Sequence, residues 1–191
     1  MRATILKKDT SRLKLSYRDY VLFPYSGSKQ HEIIDGEHYM TPSPSTKHQR
    51  ISRNLEWIIE FFIKKNKCGE IFDAPCDVLL SDTNVIVPDL VYISKENEDI
   101  ITKDNIKGIP DLIIEILSPS NRVHDTVLKK DLYEHFSVKE YWIVDPDRET
   151  VEVYMLSSSK RYIDPKIYNN NQTLKTKIIP GLEINLKEVF S

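Results

Sequence analysis

The positions that invite a chemical reading are charges set where apolar residues would cost less. Glu115 stands inside DLIIEIL, and Asp89 follows Pro88 inside VIVPDLVYI. A carboxylate on a covered strand is costly unless it is paired, protonated or bound to a cation. If the two strands are neighbours, the acids converge near one sheet edge. Two like charges ~4 Å apart then repel by about 4 kcal/mol at an effective dielectric near ~20, so something positive must offset them. Lys129, one turn into the helix that returns from the Glu115 strand, is one candidate cation, and a divalent ion is another. Hard carboxylate oxygens with no Cys–His cluster nearby suit magnesium or manganese better than zinc.

Each of these residues also has a plain reading. A buried Glu–Lys pair can be purely structural. Asp125 and Lys129 stand at i, i+4 and read as a surface helix pair. Glu32 in HEIIDGEHYM, taken alone, reads as a solvated strand residue. His48 sits in the first turn of a helix beside Lys47 and Arg50, which is ordinary surface decoration. Its functional reading is a phosphate or base contact at a helix N-terminus. The basic cluster of Lys47, Arg50 and Arg53 can face a phosphate backbone or simply solvent. Tyr141 and Trp142, inside EYWIVD, read as core.

Periodicity supplies the elements that must position these groups. Ser16 precedes YRDYVLF as an N-cap, with Asp19 in the capping-box position. HEIIDGEHYM carries Asp-Gly between two short apolar segments, the mark of a hairpin. TPSPST breaks the chain, and Ser45 caps a helix over 46–67. Along it Ile51, Leu55, Ile58, Ile59 and Phe62 recur at threes and fours. Lys64, Lys65 and Lys67 collect at its C-terminal end, and Gly69 is placed to stop it. EIFDAP, CDVLL, NVIVPDLVYI and PDLIIEIL then read as strands. SPSN ends the last of them, and Val123–Phe136 reads as a helix with Val127, Leu128, Leu132 and Phe136 on one side. EYWIVD, VEVYML and a closing set of short strands complete the chain. The crossover over 111–144 is expected to be right-handed and to make its two strands parallel. The fold class is α/β, or α+β with one large sheet.

Length and composition bound the function. The 191 residues fit one domain over 16–191 with a loose arm over 1–15. A formal charge of −2 excludes a histone-like basic wrapper, so nucleic acid must be met by a local patch or through metal ions. Cys68 and Cys76 make no disulfide framework. The basic N-terminus is too interrupted for a signal-peptide core, and no apolar run approaches ~20 residues, so a cytoplasmic protein with no membrane span is expected.

Four segments stand in order: HEIIDGEHYMTPSPSTKHQRIS, APCDVLLSDTNVIVPDLVYI, PDLIIEILSPSNRVHD and KKDLYEHFSVKEYWIVDPDRETVEVYML. Together, over about Ser16 to Phe190, they resemble the Uma family of putative restriction endonucleases, a branch of the PD-(D/E)XK nuclease superfamily. The resemblance implies a mixed central sheet flanked by helices, with additional β-strands at the C-terminal end. It implies Asp89 and Glu115 as metal-binding acids and Glu32, the family's N-terminal acid, as a third member of the metal shell or the group that aligns Lys129. Leu117 stands where the general superfamily pattern has lysine; this family is similar in placing its lysine on the following helix, which points to Lys129, with Lys130 the alternative if the register slips by one. Asp125 and Tyr133 lie a turn to either side of Lys129. His48 matches the helix-start histidine. The implied chemistry is magnesium-dependent hydrolysis of phosphodiester bonds in DNA, with manganese able to substitute, by a homodimer. The alternative is a catalytically inactive nucleic-acid-binding or scaffold protein that retains the nuclease fold.

Overall fold

The computed structural model describes residues 13–24, 29–118 and 124–191. In chain order the elements are α1 (Tyr17–Tyr20), β1 (Lys29–Ile34), β2 (Glu37–Pro42), α2 (Thr46–Asn66), β3 (Gly69–Asp73), β4 (Val78–Ser81), β5 (Asn84–Ile86), β6 (Leu90–Ser94), β7 (Ile106–Lys107), β8 (Leu112–Ile116), α3 (Lys130–His135), β9 (Glu140–Asp145), β10 (Thr150–Met155), β11 (Lys166–Asn169), β12 (Thr173–Lys175), β13 (Glu183–Asn185) and α4 (Leu186–Phe190). A 3₁₀ turn covers Lys95–Ile100, and a π-helical turn covers His124–Lys129 and runs directly into α3.

The fold is mixed α+β, with the strands divided between two large sheets rather than gathered in one. The first has the order β2-β1-β5-β4-β7, the second β11-β10-β9-β8-β6-β3, and β12 and β13 form a separate hairpin. β8 and β9 are parallel, Leu112 opposite Glu140 through Ile116 opposite Val144, as the crossover requires. The hairpin of β1 and β2 turns on Asp35 and Gly36, both at positive φ, the geometry of a tight primed turn. Leu15, inside the expected N-terminal arm, donates its N–H to the Gly36 carbonyl at 2.9 Å; residues 1–12 lie outside the described ones.

Strand alternation gives the second sheet two covered faces. Leu112, Ile114 and Ile116 of β8, with Trp142 and Val144, pack under Ile51, Leu55, Ile59 and Ile63 of α2. Ile113 and Leu117, with Val91, Ile93, Tyr141 and Ile143, pack against Leu132 and Tyr133 and against Ile34, Val78 and Ile86 of the first sheet. Glu115 falls on this second face, the one opposite α2.

Three local expectations change. NVIVPDLVYI is two strands, β5 in the first sheet and β6 in the second, because Pro88 has no N–H to continue a ladder. The segment 87–89 is therefore where the chain passes between sheets. α2 stops at Lys67, which takes the left-handed conformation at φ 53°, while Gly69 opens β3. There a Cβ would come within 2.2 Å of the Ile93 carbonyl oxygen, so glycine is needed for close strand approach rather than for the cap. The expected helix over 123–136 opens with a π turn, and the added residue per turn rotates Val127 outward to 53% exposure. Its predicted start, with most of SPSN, lies outside the described residues.

Candidate functional site

β6 and β8 are antiparallel neighbours with Leu90 opposite Ile114, so one step further places Asp89 beside Glu115. This is the convergence expected from the sequence, at the end of two central strands rather than at a lateral edge. Asp89 Oδ2 accepts from the Ile116 N–H at 2.7 Å, which pins it across the strand pair. Glu115 is 3% exposed, and its Oε1 accepts from Lys129 Nζ at 2.9 Å and from the Tyr133 hydroxyl at 2.7 Å.

Lys129 is the centre of the cluster. Its Nζ lies 2.9 Å from Glu32 Oε1, 2.9 Å from Glu115 Oε1 and 3.8 Å from Asp125 Oδ1. The π turn is what aims both Asp125 and Lys129 inward; the two are buried, so the surface-pair reading does not hold. Lys130 instead places its Nζ 5.5 Å from the centre of the Tyr154 ring, away from the acids. Of the two lysines, the structure brings Lys129 to the site.

Glu32 is likewise buried, not solvated. Its Oε1 also accepts from the Val87 N–H at 2.9 Å, so β1 grips the crossing segment two residues before Asp89. His48 is not surface decoration either. The Ser45 hydroxyl caps the His48 N–H at 3.2 Å, and the first turn of α2 brings Nε2 to 3.1 Å from Asp89 Oδ2. Among the described residues, Glu32 Oε2 and His48 Nδ1 are buried with no hydrogen-bond partner.

The electrostatics follow from one ammonium among four carboxylates. Burial alone would depress Lys129, but Glu115, Glu32 and Asp125 more than reverse it, and it holds its proton well above the ordinary lysine value. Burial drives Glu115 well above the ordinary glutamate value; Lys129 opposes this, and the other three acids add to it. His48 is disfavoured as a cation by burial, yet its hydrogen bond to Asp89 and that carboxylate's charge raise it above the ordinary histidine value. The cluster thus gathers four carboxyl groups around one lysine and one histidine, a set whose ionised form a bound cation would stabilise.

The cluster is open on one side. A cleft of about 670 Å³ is lined by His48, Asp89, Glu115, Asp125 and Lys129, with Lys47 and Arg53 on its α2 wall. Among the described residues no three His, Cys, Asp or Glu side chains are already gathered as a ligand set. Magnesium does not need one: it is commonly held by one or two carboxylates, keeping waters or taking phosphate oxygens for the rest. Asp89 and Glu115 fit that pattern. Glu32, packed behind Lys129, fits best as the group that aligns it.

The burial of Asp125 and the donor role of Tyr133 were the parts least legible in sequence. Their signal is spacing: four residues on either side of Lys129, they share its helix face only if that face points inward.

The structural comparison defines a mixed α+β fold shared with a solved protein. A crystal structure described as a putative nuclease belonging to DUF820, from Anabaena variabilis, superposes with a TM-score of 0.72 over 92% of this chain and 97% of that one, at 21% identity. The chain belongs to the Uma2 family, described as "Putative restriction endonuclease", whose profile matches residues 18–187. A relative in Synechocystis sp., the uncharacterised protein slr1290, is 27% identical over 143 residues, 74% of each chain. No described helix is long and apolar enough to cross a membrane.

Proposed function

We propose that this chain is a divalent-metal-dependent nuclease that hydrolyses phosphodiester bonds in DNA. The observation that carries the reading is the meeting of Asp89, Glu115 and Lys129 in one open cleft. Membership of a family described as restriction endonucleases supports it.

Asp89 and Glu115 would hold magnesium, or manganese in its place, and the bound ion supplies Lewis acidity and a water of lowered pKa. In the net reaction water adds to phosphorus, one P–O ester bond breaks and the leaving oxygen takes a proton. Lys129 would neutralise charge that builds on the phosphoryl oxygens, aligned by Glu32 and supported by Asp125. His48 would hold Asp89 in position and offer a cation toward the phosphate flank. Tyr133 fixes one Glu115 oxygen, leaving the carboxylate a single orientation.

The test is incubation of the purified protein with supercoiled, linear and single-stranded DNA in magnesium and manganese. Cleavage by the wild type that falls at least about 100-fold in Asp89→Asn and in Lys129→Met supports the reading, the size expected for loss of an electrostatic group. Equal behaviour of wild type and variants refutes it. The engagement of Glu115 Oε1 by both Lys129 and Tyr133, which satisfies that acid within the chain, favours a second reading, a nucleic-acid-binding protein that keeps the fold without turnover. DNA binding with no cleavage and no calorimetric magnesium signal selects that one. We also propose, from the family resemblance, a homodimer, which sedimentation equilibrium checks.

A further inference from the structure

The outward face of α2 carries a feature that the cleft does not use. Trp57 and Phe61 are 67% and 63% exposed, one helical turn apart. Their rings lie nearly parallel, with centroids 6.0 Å apart and 22° between planes. Exposed large aromatics forgo about 1.5–3 kcal/mol of burial each, so a pair held together in water calls for an occupant.

The surroundings identify its chemistry. Between residues 46 and 67 stand six cations (Lys47, Arg50, Arg53, Lys64, Lys65, Lys67) and two acids, Glu56 and Glu60, in a chain whose total charge is −2. The cations are exposed and flank the rings on both sides. Lys64 pairs with Glu60 at 2.6 Å, but so exposed a pair exchanges partners at little cost. Arg53 is shared between two depressions: the cleft that holds Asp89 and Glu115, and a shallow groove of about 310 Å³ formed with Asn54, Trp57, Ile58 and Glu188 of α4. The aromatic surface is thus continuous with the acid cluster through one arginine. From Arg53 to Lys64 the helix runs roughly 16 Å, room for a few nucleotides. A second copy fits poorly, because self-pairing on this face would crowd arginines and lysines from both copies around two rings.

Flat rings between cations are the means by which proteins hold unpaired nucleotides, whose free base faces stack on aromatics while phosphates meet the charges. We propose that the outer face of α2 is a track for single-stranded nucleic acid leading into the cleft, with bases on Trp57 and Phe61 and phosphates on Arg50, Arg53 and Lys64. This rests on the nuclease reading for what happens at the end of the track, but the binding itself does not need catalysis.

The experiment uses the full chain in EDTA, so that no cleavage intervenes. Trp57 is one of two tryptophans, and the other, Trp142, is fully buried, so quenching reports on this face. A single-stranded 12-nucleotide DNA should quench the emission, while the same sequence as a blunt duplex should quench it far less. By fluorescence anisotropy with labelled oligonucleotide, Trp57→Leu should weaken single-strand binding by about 5- to 160-fold, the range for one lost base stack. Arg50→Gln with Arg53→Gln should flatten the log–log salt slope by about 1.4, at about 0.7 per phosphate contact on single strands. Emission unmoved by single strands, or quenched equally by duplex, overturns the proposal. So does a blue shift of emission with protein concentration alone, accompanied by a dimer that Trp57→Glu splits, since the face would then belong to a second copy. Quenching by single strands with no cleavage in magnesium would leave the track standing and overturn the nuclease reading instead.

Discussion

Replacing Lys129 by methionine keeps the aliphatic stem and removes only the cation, which isolates what that charge does. At 2.9 Å from both Glu32 and Glu115 and an effective dielectric of about 20, each contact is worth roughly 6 kcal/mol before desolvation. The variant will not lose that much, because a buried acid left without its partner takes a proton instead. For a glutamate with an ordinary pKa of about 4.3, protonation at pH 7 costs about 4 kcal/mol, and at pH 5 about 1 kcal/mol. The expected loss of stability is therefore about 4 kcal/mol at pH 7, in the range known for breaking one buried pair, and about 1 kcal/mol at pH 5. The sign follows from linkage: in the variant the folded glutamate pKa lies above its unfolded value, so stability is lost as pH rises from about 4.3. Urea unfolding, followed through the buried Trp142, measures it. With a denaturant slope of about 2 kcal/mol/M the midpoint should drop by about 2 M at pH 7. A loss below about 1 kcal/mol at pH 7, or an equal loss at both pH values, would show that Lys129 is not the charge that balances these acids.

Other outcomes can be checked with similar means. Glu115→Gln should bring magnesium binding, followed by calorimetry, down by at least about tenfold if Glu115 is a ligand, since it removes one of two proposed carboxylates. Asp111 is buried and would be raised by that burial, but Lys139 at 2.5 Å and the Ser94 N–H at 2.8 Å together hold it below the ordinary aspartate value. Its depressed pKa stabilises the fold above the unfolded value and the contribution is lost as pH falls through the folded one, so Asp111→Asn should flatten the acid limb of a melting curve taken below about pH 4. Gly69→Ala should destabilise β3 against β6 by at least about 1–3 kcal/mol, seen as a lower thermal midpoint, because the new Cβ meets the Ile93 carbonyl and the backbone sits at φ 150°.

Local chemistry carried most of the fold into the sequence. Asp35-Gly36 specified its hairpin because few residue pairs accept positive φ twice in succession. α2 was legible from Ser45 to its lysines because its buried residues follow one helical stripe. The parallel pairing of β8 and β9 followed from the strand–helix–strand order of the crossover. What escaped depended on partners far along the chain. VIVPDLVYI has the composition of a single strand, and only the separation of two sheets reveals that Pro88 divides it. His48 stands between Lys47 and Arg50 like any exposed residue, and its burial is set by Asp89, 41 positions away. Glu32 reads as solvated on an alternating strand until the π-helical turn before α3 supplies Lys129. The π turn has no simple pattern, since one extra residue in a turn leaves the hydrophobic period nearly intact.

The crossing at 87–89 has a consequence for the order of assembly. Glu32 belongs to the first sheet, Glu115 to the second, and Lys129 to the turn that follows it. No half of the chain owns the complete set of charges. While the ribosome has delivered only the N-terminal portion, Glu32 has no Lys129 to meet, and Asp89, at the threshold of β6, lacks the β8 backbone that pins it. The complete cluster is therefore missing from every immature form of the protein and forms only when the two layers have closed on each other.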